Sequence, residues 1–227
     1  MSKYDLQQVS VRNVNQALHD LTGATDQAKF VISNPGGKHN IACGIDHPVS
    51  VKIDGHTGYY CAGMNKQANV EVNGNVGTGV AENMMSGSVR VRGNASQAAG
   101  ATAHGGLLVI EGDAAARCGI SMKGIDIVVK GSVGHLAAFM GQSGRVVVCG
   151  DAGDALGDSI YEARLYVKGK VKSLGADCIE KDMRPEHLKE LKSLLVSAGF
   201  DDEPRDFKRY GSARQLYNFK VDNASAY

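Results

Sequence analysis

Short stretches of alternating hydrophobic and polar residues recur every 19 positions between Phe30 and about residue 170. A glycine recurs at the same spacing and aligns the repeats: Gly36, Gly55, Gly74, Gly93, Gly112, Gly131, Gly150 and Gly169. Four residues before each glycine stands a large aliphatic residue: Ile32, Val51, Val70, Val89, Leu108, Ile127, Val146 and Leu165. Two residues before it stands a second one, except in the first repeat, which has Asn34: Ile53, Val72, Val91, Ile110, Val129, Val148 and Val167. This alternation predicts one strand with a buried face in each repeat.

Small residues mark a second point of each repeat, six and seven positions after the glycine. The first set is Ala42, Cys61, Val80, Ala99, Cys118, Ala137, Leu156 and Gly175, and the second is Cys43, Ala62, Ala81, Gly100, Gly119, Ala138, Gly157 and Ala176. Small side chains at the same point of every repeat indicate a tight corner or a narrow interior. We expect the repeated glycines to adopt, at the bend after each strand, backbone angles that other residues avoid.

Repetition at a fixed short period is typical of a solenoid. The pattern predicts an all-β solenoid, a parallel β-helix of about seven 19-residue coils in which like residues stack on like. A left-handed hexapeptide helix would show a six-residue period, which the sequence lacks. Because parallel strand connections are almost always right-handed, we predict a right-handed parallel β-helix with short flanking helices.

The segment before the repeats predicts a helix. Hydrophobic residues at helical spacing place it near residues 12–21, with Ser10 or Asn13 as its cap and Gly23 as its stop. A helix at this point would cover the open end of the first coil, whose exposed strand edge otherwise invites association.

The segment after the repeats predicts a second helix near residues 185–198, which begins at Pro185 and stops at Gly199. We expect it to cap the other end of the solenoid. The aromatic and aliphatic residues that follow favour a tail lying along the solenoid or along a partner: Phe207, Tyr210, Leu216, Tyr217 and Phe219. The predicted divisions are a helical cap (1–29), a β-helix (30–180) and a C-terminal helix with an extended tail (181–227).

One outward-facing column changes character along the solenoid. Three residues before the glycine, the early coils carry Lys52, Glu71 and Arg90, and the later coils carry Val109, Val128, Val147 and Tyr166. Four stacked apolar residues on an outer face need a cover. Either the C-terminal aromatic residues fold back over this stripe or another subunit packs there.

Composition narrows the class of protein. Lys plus Arg (25) nearly balances Asp plus Glu (24), so nothing in the charge points to a nucleic-acid partner. Five cysteines without a CxxC pair or a secretory leader favour a reduced, cytoplasmic protein. The sequence shows no apolar run long enough to span a bilayer, so we expect no membrane partner.

The candidate chemical motifs favour structural interpretations. GNVGTG at Gly74–Gly79 lacks a nucleotide-binding spacing, and every coil repeats a version of it, so it predicts a turn. The cysteines lack metal-ligand spacing, and Cys149, which faces outward, is expected to be the most exposed thiol. The seven histidines are expected to be surface or turn residues, since no HExxH is present.

Two further groups remain open. The methionines nine to eleven residues after the glycine indicate adaptable corner packing or a contact surface: Met64, Met84, Met85, Met122 and Met140. Asp151, Asp154 and Asp158 lie close enough in sequence to raise the possibility of a polysaccharide-cleaving β-helix enzyme. The absence of tryptophan and of a leader argues against that class.

The glycine ladder followed by a helix resembles the GXGXG domain of the glutamate synthase large chain and of a formylmethanofuran dehydrogenase chain. Two segments look like the free-standing members of that family, which are the glutamate-synthase-like β-helix chain of N-methylglutamate synthase and the GlxC-type proteins. These segments are GHLAAFMGQSGRVVVCGDAGDALGDSIYEARLYVKGKVKSLGADC (Gly134 to Cys178) and FKRYGSARQLYNF (Phe207 to Phe219).

The resemblance implies a hetero-oligomer in which this chain is a non-catalytic scaffold. Its expected partners are a class II glutaminase-like subunit and a large glutamate-synthase-like subunit that carries FMN and an iron–sulfur cluster. Such a complex, in methylamine metabolism, makes N-methylglutamate and ammonia from glutamate and methylamine. The chain has Ser2 where a class II amidotransferase uses cysteine, and we assign it no catalytic, cofactor-binding or metal-binding residue. The alternative is the structural subunit of a formylmethanofuran dehydrogenase or of a formyltransferase/hydrolase complex.

Overall fold

The computed structural model describes residues 1–21 and 28–213 and is a β-solenoid of about seven turns with two short α-helices. Its strands are β1 (Ser2–Asp5), β2 (Lys29–Ser33), β3 (Ser50–Asp54), β4 (Asn69–Val72), β5 (Ser88–Val91), β6 (Leu107–Ile110), β7 (Lys123–Val129), β8 (Ser143–Val148), β9 (Arg164–Val167), β10 (Cys178–Lys181) and β11 (Lys208–Ser212). The helices are α1 (Val11–His19) and α2 (Pro185–Ala198), and one 3₁₀ turn covers Pro204–Asp206.

The strands form one sheet in the order β1 to β9, then β11, then β10. Strands β1 to β9 pair in parallel with their neighbours, because each coil returns the chain to the same side of the solenoid. Strand β11 lies antiparallel between β9 and β10. The predicted parallel β-helix is thus confirmed, and its handedness stays a prediction.

The two aliphatic columns form the core of the solenoid. Every member of both is buried, and the strand pairing stacks Val70 on Val89 and Val72 on Val91. A second row of residues, two positions after each glycine, pairs coil by coil in isolated bridges: Thr57, Val76, Ala95, Ala114, Val133, Ala152 and Val171. Stacked valines, isoleucines and alanines therefore fill the interior, and the strand prediction is confirmed.

The register of the first coil differs from the sequence alignment. Ile32 pairs with Ile53, so the first step between strands is 21 residues rather than 19. Asn34 consequently does not interrupt the second aliphatic column, and Gly36 is not a member of the structural glycine column. One additional residue lies in the loop where Asn34, Gly36 and Gly37 adopt left-handed angles (φ 54°, 53° and 72°), and the other lies between Gly44 and Ser50. The glycine spacing concealed this insertion.

The backbone angles predicted for the repeated glycines are wrong for most of the column. Only Gly36 and Gly55 have positive φ, so Gly74 and its five successors adopt angles open to any residue. These glycines are required because neighbouring coils approach closely. A Cβ atom built on Gly131 would lie 2.7 Å from the carbonyl oxygen of Gly112 and 2.2 Å from Oδ1 of Asp113.

Left-handed residues instead occupy the corner with the small side chains. In the second coil they are Tyr60, Ala62 and Met64, with φ of 59°, 53° and 55°, and later coils repeat the pattern. The backbone there bonds to the coils on both sides: the Ala62 amide donates to the Ile41 carbonyl at 2.9 Å and the Met64 amide to the Glu82 carbonyl at 2.7 Å. The predicted tight corner is confirmed.

Helix α1 covers the start of the solenoid as predicted. The Asn13 amide donates to Oγ of Ser10 at 3.1 Å, so Ser10 is the cap. Val14 is fully buried against the first coil, and Asn15 bonds to the backbone of that coil. The helix ends at His19, and Gly23 lies outside the described residues. Strand β1, which the sequence did not reveal, adds a further strand ahead of β2.

Helix α2 has the predicted bounds, with Gly199 in the left-handed conformation at its end (φ 74°). It does not cap the end of the solenoid, however, and that prediction is wrong. The helix lies on the outer face of the sheet, where it and Phe207 cover the apolar stripe. The buried cluster contains Val109, Val128, Val147, Tyr166, Leu191, Leu194, Leu195, Ala198 and Phe207. Of the two covers considered for the stripe, the one supplied by the chain itself is present.

Two acidic residues fasten this cover. Glu190 on α2 accepts from Tyr166 Oη at 2.5 Å and from Arg164 at 2.6 Å. Asp202, which follows α2, pairs with Lys130 and Lys168. Strand β11 then lies along β9, which confirms the tail prediction for the residues up to Ser212. Leu216, Tyr217 and Phe219 lie outside the described residues.

Candidate docking surface

The three aspartates considered for polysaccharide cleavage serve the contacts between coils. Asp151 accepts from the Lys170 amide at 2.7 Å, and Asp154 pairs with Lys172 at 2.7 Å. Asp158 accepts from the Ala176 amide at 3.1 Å. Each carboxylate therefore has its own structural partner, which favours the scaffold interpretation over an acidic active site.

A polar ladder runs beside the glycine column, and the sequence interpretation missed it. The residue after each of the six glycines from Gly55 to Gly150 accepts a hydrogen bond from the backbone amide of its counterpart one coil later. Its side chains belong to His56, Asn75, Asn94, Asp113, Ser132 and Asp151. The recurrence of short polar residues after the glycine was the available signal. GNVGTG belongs to this stacked turn, which confirms its structural interpretation.

The cysteines are free thiols. Burial raises the pKa of Cys61 and of Cys118 to about 12, so both remain protonated near neutral pH. Cys149, expected to be the most exposed, is half-buried, as is Cys43. Burial raises the pKa of Cys149 to about 12 and that of Cys43 to about 11. Across residues 1–21 and 28–213, no group of His, Cys, Asp or Glu side chains is arranged to hold a metal ion.

Four histidines hydrogen-bond to the backbone, and one of them, His187, is buried in α2, so the expected surface or turn position is wrong for it. His39 and His56 accept from the amides of Tyr59 and Asn75, both at 2.8 Å. His19 bonds to the Cys43 carbonyl at 2.7 Å, and His187 accepts from the Arg184 amide at the start of α2. In the described part of the chain, neither helix combines the length and hydrophobicity needed to cross a bilayer.

A surface of exposed apolar side chains lies at the corner of the early coils. It consists of Tyr59, Tyr60, Met64 and Met85, whose exposed fractions are 51%, 44%, 57% and 47%, and we call it the Tyr–Met patch. Met84 and Met122 are fully buried, which fits corner packing, whereas a contact surface stays a prediction for the exposed methionines. Tyr and Met are residue types enriched in protein interfaces, which makes this patch the candidate docking surface.

A groove of about 420 Å³ opens within this patch, and Tyr60, Met64, Asn40, Asn83 and Glu82 line it. A Cβ atom built on Gly79 would lie 2.6 Å from Cδ1 of Tyr60 and 2.8 Å from Oε2 of Glu82. The tyrosine ring and the carboxylate therefore lie side by side over Gly79. Among the described residues, the Glu82 carboxylate has no ion pair or hydrogen-bond partner.

Two side chains of the Tyr–Met patch stand on unfavourable backbone. Tyr60 and Met64 have left-handed φ angles of 59° and 55°, which for bulky residues cost on the order of 1 kcal/mol each. The coil before has Gly44 at the position of Met64, and the coil after has Asn83, both types that accept this conformation more readily. The fold itself does not need the exposed methionine.

Comparison with protein-family models finds no match for this chain. Among characterised sequences, it is 61% identical over 228 residues to Protein GlxC of Rhizobium meliloti (strain 1021), and the alignment covers 100% of both chains.

Proposed function

The chain belongs to the family of GlxC proteins, and from that premise we propose that it is the non-catalytic β-solenoid subunit of a glutamate-synthase-like flavoprotein complex. The observation that carries this proposal is the identity of 61% over the whole length of a GlxC protein. It is consistent with the resemblance of the repeats to the glycine-rich domain of glutamate synthases.

The complex that fits best is N-methylglutamate synthase. It would convert glutamate and methylamine into N-methylglutamate and ammonia, so that the methylamine nitrogen replaces the amino nitrogen of glutamate. The class II glutaminase-like subunit would supply the amidotransferase chemistry, and the large subunit would carry FMN and the iron–sulfur cluster. This chain would hold those two subunits in a fixed relative position.

The arrangement of polar residues supports a scaffold role. The aspartates, the ladder residues and four histidines bond between coils or to the backbone, which fastens adjacent coils to one another. Hydrogen bonds from coil to coil and a packed interior make a solenoid stiff, and its contacts are mainly between neighbouring repeats. A stiff solenoid would hold partner subunits in fixed positions on its outer faces.

Co-expression with the two expected partner subunits tests the proposal. We expect a tag on this chain to recover a complex with FMN and iron–sulfur absorption that forms N-methylglutamate from methylamine and glutamate. The control is the same preparation without this chain, in which we expect the partners to associate poorly. A metal-dependent complex that handles formyl groups would instead support the formylmethanofuran dehydrogenase alternative and overturn this proposal.

A further inference from the structure

We propose that the Tyr–Met patch is the site where one partner subunit docks, and that its groove receives a basic side chain of that partner. This inference rests on the proposed function, because it assumes that a partner subunit exists. It adds where that partner binds and what chemistry the partner presents. The occupant is an arginine or lysine whose aliphatic stem lies on Tyr60 and Met64 and whose charged group meets Glu82.

Charge complementarity identifies the occupant. The Glu82 carboxylate lies beside the Tyr60 ring over Gly79 and lacks a partner among the described residues. A long basic side chain matches this surface, because its methylene groups cover apolar side chains while its charged group reaches the carboxylate. A cation next to a tyrosine ring is further favoured by the ring quadrupole.

Backbone strain and exposure show that the fold gains little from the Met64 side chain. Met64 is 57% exposed, yet it adopts a left-handed conformation that Gly44 and Asn83 accept more easily in the adjacent coils. A mutation to asparagine would relieve part of this strain at little loss of packing. Met140 shares this conformation and exposure, so the position of the site follows from Glu82 beside Tyr60 and not from strain.

The outer face of the sheet differs from the Tyr–Met patch in the side chains that it exposes. Helix α2 and Phe207 already cover its apolar half. In its open half, Lys52 pairs with Asp54, and Glu71 pairs with Arg92. The charges of these four residues are mutually satisfied, whereas the Tyr–Met patch combines exposed apolar surface with an unpaired carboxylate. The patch is therefore the better docking site.

Met64→Asn and Met140→Asn form a matched pair that tests the proposal. Met140 has the same left-handed conformation (φ 54°) and is 42% exposed, but it lies four coils away. Relief of strain should raise the melting temperature of both variants by about 2–4 °C. Isothermal titration with whichever co-expressed subunit binds the wild-type chain should show about tenfold weaker binding for Met64→Asn and unchanged binding for Met140→Asn.

Glu82→Gln tests the charge, with Glu203→Gln as its control at an exposed carboxylate near the 3₁₀ turn. We expect Glu82→Gln to weaken binding about tenfold and to reduce its dependence on salt, whereas Glu203→Gln should change neither. If the wild-type chain binds a subunit and both Met64→Asn and Glu82→Gln bind equally well, the docking inference is wrong while the proposed function stands. If the wild-type chain binds neither subunit, the proposed function fails and the inference with it.

Discussion

At the scale of single residues, most of the repeated glycines are required because neighbouring coils leave no room for a side chain. Their backbone angles do not require glycine. Six of them have ordinary φ angles, and the space for a side chain is occupied by the carbonyl group of the coil before. The polar ladder uses the same space, since Oδ1 of Asn75 lies within 2.3 Å of a Cβ built on Gly93. Glycine thus allows each coil to bond to the next through both backbone and side chain.

Substitution of Gly93 by alanine should therefore destabilise the protein by about 1–3 kcal/mol, because the added methyl group forces apart two coils that pack closely. Forbidden backbone angles do not explain this residue, whose φ is not positive. Urea unfolding followed by circular dichroism measures the loss.

Gly211→Ala is the matched control, because the nearest atom to its Cβ would be 3.8 Å away and its φ is ordinary. We expect a change of less than about 0.5 kcal/mol there. Equal losses in the two variants would contradict the clearance explanation.

Glu190 should make stability depend on pH. Burial raises its pKa, but the hydrogen bond from Tyr166 and the charges of Arg164 and Arg145 outweigh burial, so its pKa lies below the ordinary value of 4.5. The folded state then binds fewer protons than the unfolded state. The stabilisation is present above pH 4.5 and is lost as the pH falls through the lowered value.

Measurement of unfolding free energy from pH 6 to about pH 3 tests this expectation. Glu190→Gln should be less stable at pH 6 and should lose less on acidification than the wild-type protein. Glu186→Gln, at a 62% exposed carboxylate on the same helix, should follow the wild-type curve. Parallel curves for Glu190→Gln and the wild type would show that Glu190 does not carry the effect.

At the scale of elements, α2 and the sheet supply each other with an apolar surface. Leu191 and Leu195 are fully buried on the helix, and Val128 is fully buried on the strand face beneath it. Arg90 donates to the carbonyl of Ala198 at 2.8 Å and so satisfies the end of the helix. The C-terminal end of α2 therefore lies near Arg90, in the coil next to Val109, where the apolar stripe begins.

Val128→Asp should destabilise the isolated chain by at least about 3 kcal/mol, because it places an unpaired carboxylate between sheet and helix. Thermal unfolding of the isolated chain measures the effect. Val196→Asp is the control, since Val196 is 62% exposed on α2, and we expect little change there. A normal melting temperature for Val128→Asp would mean that α2 does not cover the stripe in solution.

The sequence predicted the elements better than their placement. Alternation identified the buried strand faces, and Pro185 with Gly199 fixed the bounds of α2. Neither the stripe nor the helix alone indicates that they meet, because the pairing depends on the turn between β10 and α2. Strands β1 and β11 have no periodic signal of their own, and the unchanged glycine spacing concealed the insertion in the first coil.

The Tyr–Met patch was only partly visible in the sequence. The methionines were recognised as corner residues, but their spacing could not separate buried Met84 from exposed Met85. Glu82 gave no signal either, since its proposed role depends on its position beside Tyr60, over Gly79 of the next coil. The exposure of each methionine and the surroundings of Glu82 thus depend on contacts between coils, which the sequence pattern does not show.

At the scale of the whole molecule, the later coils of the solenoid have additional tertiary contacts that the early coils lack. Strands β6 to β9 are covered by α2 and fastened by Glu190 and Asp202, whereas the outer face of β3 and β4 remains open. Because repeats interact mainly with their neighbours, local stability need not be uniform along a solenoid.

Native-state hydrogen exchange should reveal this difference. We expect the amides of β7 and β8 to exchange more slowly than those of β3 and β4, since opening the covered coils requires α2 to detach. Mass spectrometry of peptides from both regions measures the rates, and Val128→Asp should reduce the difference. Equal protection of the two regions in the wild-type protein would contradict uneven bracing.

The position of β11 between β9 and β10 affects the order in which the chain is assembled during synthesis. Each coil up to β9 pairs with a strand that has already been made, so these coils are able to form in the order of translation. Strand β10 is made before β11, and within residues 1–21 and 28–213 it pairs only with β11, through Cys178 opposite Ser212 and Lys181 opposite Arg209. The nascent solenoid therefore keeps an unpaired edge on β9 until Lys208–Ser212 emerges, and premature pairing of β10 with β9 would have to be undone.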